Sequence, residues 1–130
     1  MAVYLDSSAF VKLVVAEAES TALRSELAKH PTRASSQLLR TEVVRAPRRA
    51  QHHVEVGRAR RAFRSLHLIE LVPTLLDRAA ELDPDGLRLL DAIHVASALF
   101  LVVGLKCAIT YDARQRRAFE LAGIEVREPS

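Results

Sequence analysis

Short β-like runs alternate with longer segments of helical periodicity along this chain. Strands are predicted over residues 2–5, 32–35, 66–72, 106–110 and 124–126. Helices are predicted over 9–16, from Glu19 to Pro31, from Ser36 onward, and over 73–82, 87–103 and 112–122. Alternation of this kind predicts an α/β fold in which helices cover both faces of a central parallel sheet of four to five strands.

Glycine and proline divide the pattern further. Pro47 lies inside the helical segment that starts at Ser36, which predicts a kink or a break there. The Arg-rich stretch that follows is predicted to be helical as far as Arg64. Residues 83–86, Asp-Pro-Asp-Gly, predict a loop, and Gly104 predicts the end of the long apolar helix.

Composition places the chain among folded proteins. Its 130 residues fit one domain, 1–130, and 49% hydrophobic with 27% charged residues argue against disorder and against a fibre. The single cysteine, Cys107, excludes an intramolecular disulfide and a cysteine-based zinc site, so we expect a reduced, cytoplasmic setting. The longest apolar stretch, 95–105, is too short to cross a bilayer, so no membrane association is expected.

Positive charge is concentrated in one part of the sequence. Residues 33–64 contain nine arginines and two glutamates, a local charge of +7 in a chain whose net charge is +3. This asymmetry indicates a polyanionic partner. Arg58, Arg60, Arg61 and Arg64 are candidate phosphate contacts, and a merely solvated helix face is the alternative.

Two acidic residues follow predicted strands. Asp6 comes directly after the first strand and Asp112 shortly after the fourth, so both are expected at the edge of the sheet where ligands bind in such folds. An aspartate between a strand and a helix is also a common N-cap. Both interpretations stay open for each residue.

Two further acids lie in apolar surroundings. Asp91 sits in the most apolar helical segment, where a carboxylate needs a cation or hydrogen-bond donors. It is either paired with Arg88 or a metal ligand. Glu42 lies among leucines and valines near a helix start, and its alternative is an exposed ion pair with Arg45.

Four acids that converge on one sheet edge repel one another unless some are protonated or a cation lies among them. Oxygen ligands favour a hard divalent ion, Mg²⁺ or Mn²⁺. Beside a basic surface, such an ion is typical of phosphodiester hydrolysis, in which it activates the attacking water. The acids considered are Asp6, Glu42, Asp91 and Asp112, separated by 36, 49 and 21 residues.

These segments resemble the PIN-domain ribonucleases, and more narrowly the VapC toxins of bacterial type II toxin–antitoxin systems. The resemblance rests on Leu-Asp-Ser-Ser-Ala at 5–9, on Glu42 within 39–43, on Leu-Asp-Ala-Ile-His at 90–94 and on Thr-Tyr-Asp at 110–112. It covers nearly the whole chain. It implies a three-layer α/β/α sandwich and an endoribonuclease that depends on Mg²⁺ or Mn²⁺ and acts on RNA such as tRNA or rRNA.

The resemblance also implies roles for individual residues and partners. The four acids fall on the family's acidic positions, and Ser7 and Thr110 fall where a hydroxyl often supports the metal or its waters. A cognate VapB-like antitoxin is the implied partner, with a homodimer and a heterotetramer or larger complex as expected assemblies. The first helix is apolar nearly all round, which we interpret as a protein interface.

Two other functions stay open from the sequence. One is a phosphoryl-transfer domain with an aspartate after its first strand, although Ser8 stands where the common phosphatase class needs a second aspartate. The other is a non-enzymatic nucleic-acid-binding module in which the acids are caps and ion pairs. His94 lies one helical turn after Asp91, and we expect it to support packing or the site rather than carry protons.

Overall fold

The sheet at the centre of the molecule is parallel throughout the described residues. The computed structural model describes residues 1–49 and 55–130. Five parallel strands are present, within the four to five that the alternating pattern predicts, and they lie in the order β3-β2-β1-β4-β5. They are β1 (Ala2–Leu5), β2 (Arg33–Ser36), β3 (His67–Ile69), β4 (Leu105–Ile109) and β5 (Val126–Arg127).

Helices connect the strands and cover both faces of the sheet. They are α1 (Ser7–Val14), α2 (Ser20–Leu27), α3 (Leu39–Arg49), α4 (Val56–Ala62), α5 (Pro73–Ala80), α6 (Leu89–Leu99) and α7 (Ala113–Leu121), with a short 3-10 helix at Phe63–Ser65. The three-layer α/β/α sandwich is therefore confirmed. None of the described helices has the length and apolar character needed to cross a membrane.

Alternating side chains of the central strands build two separate cores. Val3 and Leu5 of β1 face α1 and α2, whereas Tyr4 between them faces the layer of α5, α6 and α7. Cys107 lies in the first of these cores, fully buried and unpaired, as its apolar surroundings predict. Because side chains alternate along a strand, β1 is buried on both faces and carries no charged residue before Asp6.

The apolar character of α1 is largely satisfied inside the chain. One side of the helix packs on the sheet through Ala9, and another packs on α3 and α4 through Phe10 and Val14. The ring of Phe10 stacks on Phe63, with centroids 5.2 Å apart. The interface predicted for α1 is therefore reduced to the residues that these contacts cover only in part, among them Val11.

The prediction of a helix as far as residue 103 is wrong at its C-terminal end. α6 ends at Leu99, and the chain turns back through Val102, which is fully exposed. Gly104 closes the turn with φ +86°, a conformation that suits glycine, before β4 begins. Apolar residues continue through the turn, so hydrophobicity alone overestimates the helix.

Two other boundaries differ from expectation. α3 continues through Pro47 to Arg49, so the predicted break is absent, and its earlier turns are fixed by the buried Leu39 and Val43. β3 ends at Ile69 instead of residue 72, because Ile69 pairs with Ser36, the last residue of β2. The paired histidines at 52 and 53 lie outside the described residues.

Candidate active site

Two neighbouring strands deliver Asp6 and Asp112 to the same edge of the sheet. β1 pairs with β4 up to Leu5 and Ile109, and the two aspartates follow these strands. Both are N-caps: Asp6 Oδ1 accepts from the amide of Ala9 at 3.0 Å, and Asp112 Oδ1 from the amide of Arg114 at 2.8 Å. Capping and a shared location at one edge are thus both true of these residues.

The other two acids enter the same region from helix N-termini. Glu42 lies in the first turn of α3 and Asp91 in the first turn of α6. All four carboxylates line one cleft with a volume of about 970 Å³. Four residues that are distant in sequence therefore line the same cleft. Their roles in it stay a prediction.

Asp6 lies deepest, with 3% of its surface exposed. Thr110 Oγ1 donates to its Oδ2 at 2.5 Å, and Ser8 Oγ donates to its Oδ1 at 2.7 Å. Burial raises the pKa of Asp6, and the nearby His94 and these hydrogen bonds oppose the rise. Ser7 lines the cleft, but Ser8 supplies the hydroxyl that touches Asp6.

Asp91 is partly buried and lies close to other negative charges. Burial raises its pKa, as do the charges of Asp112 and Asp6, whereas His94 and Arg88 lower it. Within the described residues, Arg88 forms no ion pair with Asp91, so the interpretation as a buried pair is wrong. The carboxylate is left available to a ligand in the cleft.

Gln115 ties the beginnings of two helices together. Its side chain is 1% exposed, and its Nε2 donates to the main-chain oxygen of Asp91 at 3.3 Å. Its own amide is capped by Asp112 at 3.3 Å. Asp91 and Asp112 are therefore held at a fixed separation by one residue, which sequence reasoning missed because glutamine carries no signal of its own.

Glu42 does not pair with Arg45 as the exposed-residue interpretation requires. Its Oε1 lies 2.6 Å from Nε2 of His94, and Nδ1 of that ring lies 2.6 Å from the hydroxyl of Tyr4. His94 is 1% exposed and Tyr4 is fully buried. The expectation that His94 supports the site is consistent with this contact. The hydrogen bond between Tyr4 and His94 was not predicted from the sequence.

The chemistry of the four acids suits a hard divalent cation. Four carboxylates on one cleft, two with raised pKa values, offer only oxygen ligands and lack a counter-charge in direct contact at Asp91. Among the residues described, no three acidic, histidine or cysteine side chains already stand in a geometry that holds a metal ion. Asp6, Glu42 and Asp112 each have a carboxylate oxygen within hydrogen-bond distance of a group of the protein.

A family model for the PIN domain matches residues 3–120 of the chain. This chain belongs to the PIN domain family. It is 46% identical over 130 residues to ribonuclease VapC46 of Mycobacterium tuberculosis H37Rv, a match that covers 99% of this chain and 98% of that protein. Ribonuclease VapC47 of M. tuberculosis CDC 1551 is 34% identical over 116 residues, 86% of this chain and 85% of that protein.

A solved toxin structure has the same fold. The crystal structure of M. tuberculosis VapC20, a toxin that cleaves the Sarcin-Ricin loop, superposes with a TM-score of 0.71 at 18% identity. The match covers 98% of this chain and 99% of VapC20. The resemblance to VapC toxins drawn from the acidic motifs is therefore confirmed at the level of the family.

Three exposed arginines rim the cleft of this PIN-domain chain. Arg88 immediately precedes α6, Arg114 is the second residue of α7, and Arg45 lies one turn beyond Glu42. Helix N-termini disfavour cations, so Arg88 and Arg114 do not serve helix stability. Among the described residues, none of the three forms an ion pair within 4.0 Å.

The arginine run that the sequence singled out lies elsewhere. Arg58, Arg60, Arg61 and Arg64 are exposed but do not line the cleft, and Arg61 pairs with Glu55 at 3.3 Å. The three arginines that do line the cleft follow or precede the acids by two or three positions in sequence. That proximity to the acidic motifs is the signal that identifies them.

Proposed function

We propose that this VapC-family chain is a toxin that cleaves RNA as a divalent-metal-dependent endoribonuclease. The observation that carries the proposal is the convergence of Asp6, Glu42, Asp91 and Asp112, from four different elements, on one cleft. Ribonuclease names are shared by the relatives that match 85% or more of their own length. The Sarcin-Ricin loop activity of VapC20 supports RNA as the substrate class without specifying the target here.

Asp6, Asp91 and Asp112 would hold the ion, Mg²⁺ or Mn²⁺, with Glu42 completing the site. The bound ion supplies Lewis-acid activation of water and neutralises charge on the scissile phosphate. Ser8 and Thr110 orient Asp6, and Gln115 keeps Asp91 beside Asp112. Hydrolysis by water predicts products with a 5′-phosphate and a 3′-hydroxyl and no need of the RNA 2′-hydroxyl.

The apolar part of the cleft is the proposed seat of a VapB-like antitoxin segment. Val11, Val15 and Leu38 line it beside Leu89 and Leu90, which are 73% and 45% exposed. A peptide with apolar side chains would cover these residues and exclude RNA from the acids. The cytoplasm as compartment and a dimeric or larger assembly stay predictions.

The metal requirement gives the direct test of this function. We expect cleavage of total RNA with Mg²⁺ or Mn²⁺, full loss in EDTA, and recovery when Mn²⁺ is restored, because the four carboxylates that line the cleft are the proposed ligands of the ion. Mapping of the product ends and calorimetric titration with Mn²⁺ are the measurements. Undiminished cleavage in EDTA, or no Mn²⁺ binding by protein that still binds RNA, would instead favour the non-enzymatic module.

The arginine rim predicts which residues hold the RNA backbone. Arg114→Gln should raise KM severalfold with little change in kcat, since the arginine contacts phosphate and not the reacting atoms. The slope of log KM against log salt concentration should fall by about 0.7, the value for one phosphate contact on a single strand. Steady-state kinetics at several salt concentrations measure both effects.

Arg58→Gln on α4 is the matched control, because it removes the same charge outside the cleft. Equal effects of the two substitutions would show that net charge, and not position on the rim, governs binding. A fall in kcat alone for Arg114→Gln would contradict a purely binding role.

A further inference from the structure

Three elements of the fold meet in a buried chain of hydrogen bonds behind the cleft. Tyr4 comes from β1, His94 from α6 and Glu42 from α3. The hydroxyl of Tyr4 lies 2.6 Å from Nδ1 of His94, and Nε2 of His94 lies 2.6 Å from Oε1 of Glu42. These short contacts join residues 90 and 52 positions apart in sequence.

The direction of the chain follows from the donors and acceptors. A carboxylate accepts only, so Nε2 of His94 carries a hydrogen and donates it to Glu42. Nδ1 of the ring is either the acceptor from the hydroxyl of Tyr4 or, in the doubly protonated ring, the donor to it, and the contact exists in both cases. Tyr4 therefore fixes the plane of the imidazole, and the imidazole fixes the carboxylate.

Packing holds the first two members rigidly. His94 is 1% exposed and Tyr4 is 0% exposed, and the two rings meet edge to face with centroids 5.8 Å apart. The Tyr4 ring also meets Phe119 edge to face at 5.8 Å. Close packing leaves these two side chains no room for another rotamer. Their fixed positions therefore determine where the hydrogen bond to Glu42 is made.

Glu42 and His94 both line the cleft, and Glu42 is the more exposed of the two. Its side chain is 14% exposed, and among the described residues Oε2 accepts no hydrogen bond. One oxygen is thus held by His94, and the other is free of hydrogen bonds to the described residues, in the cleft that the remaining acids also line. The same arrangement orients metal-binding groups in other proteins, where a partner in the protein fixes one atom of a ligand and leaves the other to the ion.

We propose that Tyr4 and His94 are positioning residues that hold the Glu42 carboxylate for the divalent cation, through the hydrogen-bond chain Tyr4–His94–Glu42. This inference rests on the proposed function, because it assigns a task within that site. The opposite interpretation is a purely structural tie between α3 and α6, in which Glu42 takes no part in metal binding.

Tyr4→Phe tests the chain with the smallest change, since it removes one hydroxyl and keeps the ring. We expect the Kd of Mn²⁺, measured by calorimetry, to rise roughly ten- to a hundredfold, as for loss of groups that orient metal ligands elsewhere. The value of kcat should fall while KM for RNA stays unchanged. His94→Gln, whose amide can still donate to Glu42, should retain more Mn²⁺ affinity than His94→Leu.

Tyr111→Phe is the matched control. It removes the hydroxyl of the second of the protein's two tyrosines. That hydroxyl donates to the main-chain oxygen of Pro129 at 2.7 Å and is not part of the Tyr4–His94–Glu42 hydrogen bonds. Melting temperatures of the metal-free variants separate stability from binding. The inference requires that Tyr4→Phe, and not Tyr111→Phe, weakens Mn²⁺ binding when both variants are folded.

A double-mutant cycle decides between positioning and a structural tie. In a Glu42→Gln background, Tyr4→Phe should have no further effect on Mn²⁺ affinity, because the carboxylate that it positions is gone. Equal losses in both backgrounds, or no loss in either, would overturn the inference while Mn²⁺ binding and RNA cleavage by the unaltered protein leave the proposed function intact. Absence of Mn²⁺ binding and cleavage in the unaltered protein would overturn both.

Discussion

Asp91→Asn should lower the rate of metal-dependent RNA cleavage by at least about a hundredfold, a loss comparable to removal of one preorganised electrostatic contact in other enzymes. The substitution keeps the shape of the side chain but removes the charge that the cation needs. The contact from Gln115 reaches the main-chain oxygen of Asp91 and is therefore kept. Single-turnover cleavage of a defined RNA at fixed Mn²⁺ concentration measures the effect.

The same variant predicts a gain in stability for the metal-free protein. The pKa of Asp91 is raised in the folded state, so its ionisation opposes folding as pH rises above the unfolded value. In EDTA, Asp91→Asn should match the unaltered protein at about pH 3, where the aspartate is protonated in both states, and melt higher at pH 7. An inactive variant with higher thermal stability cannot owe its inactivity to unfolding.

Asp77→Asn provides the control for Asp91→Asn. Asp77 is an exposed aspartate on α5 outside the cleft, and its loss changes the net charge by the same amount. Its cleavage rate should equal that of the unaltered protein. Full activity of Asp91→Asn at saturating Mn²⁺ would remove Asp91 from the site.

Phe119→Ala should lower the free energy of unfolding by about 3–5 kcal/mol, the usual cost of removing a buried phenyl ring. Phe119 is 0% exposed on α7 and packs edge to face on Tyr4. Its loss leaves a cavity between the helix that carries Asp112 and the strand that leads to Asp6. Urea unfolding measures the change, and a fall in Tm of roughly 10 °C or more is expected.

Leu121→Ala is the matched substitution on the same helix. Leu121 is 51% exposed, so its truncation should change the unfolding free energy by less than about 0.5 kcal/mol. Similar losses for the two variants would mean that α7 is not anchored through Phe119. A loss below about 1 kcal/mol for Phe119→Ala would have the same meaning.

The alternation of strand-like and helical segments along the sequence predicted most of the fold. The central strands β1 and β4 follow from buried, largely apolar runs, because burial on both faces demands apolar strands. The strand β2, with the sequence Arg-Ala-Ser-Ser, has no such run. Ends were less accurate: α6 stops at Leu99 although apolar residues continue to Val103. An apolar side chain indicates a preference for burial and does not say where a helix ends. Val102 and Val103 are exposed because they lie in the turn that leads back to β4.

The candidate site divides in a similar way. Asp6 and Asp112 were identified because they follow strands that end at one edge of the sheet, and Asp91 because a carboxylate within an apolar helix is costly without a partner. Glu42 was identified by its apolar surroundings, and the alternative interpretation, an ion pair with Arg45, is wrong. Gln115 and Ser8 carry no comparable cost, so only their contacts reveal them. The rim arginines Arg88 and Arg114 are marked in the sequence only by their closeness to the acidic motifs.

The sequence by itself predicted the parallel α/β architecture, the convergence of four acids on one edge of the sheet and the membership of the PIN domain family. Only the tertiary structure decided that His94 lies between Tyr4 and Glu42, and that the cleft is rimmed by arginines other than the predicted run. The physical reason is that periodicity and local cost depend on a residue and its neighbours in the chain. Hydrogen bonds across 52 or 90 residues depend on how β1, α3 and α6 pack together, and no local pattern records that packing.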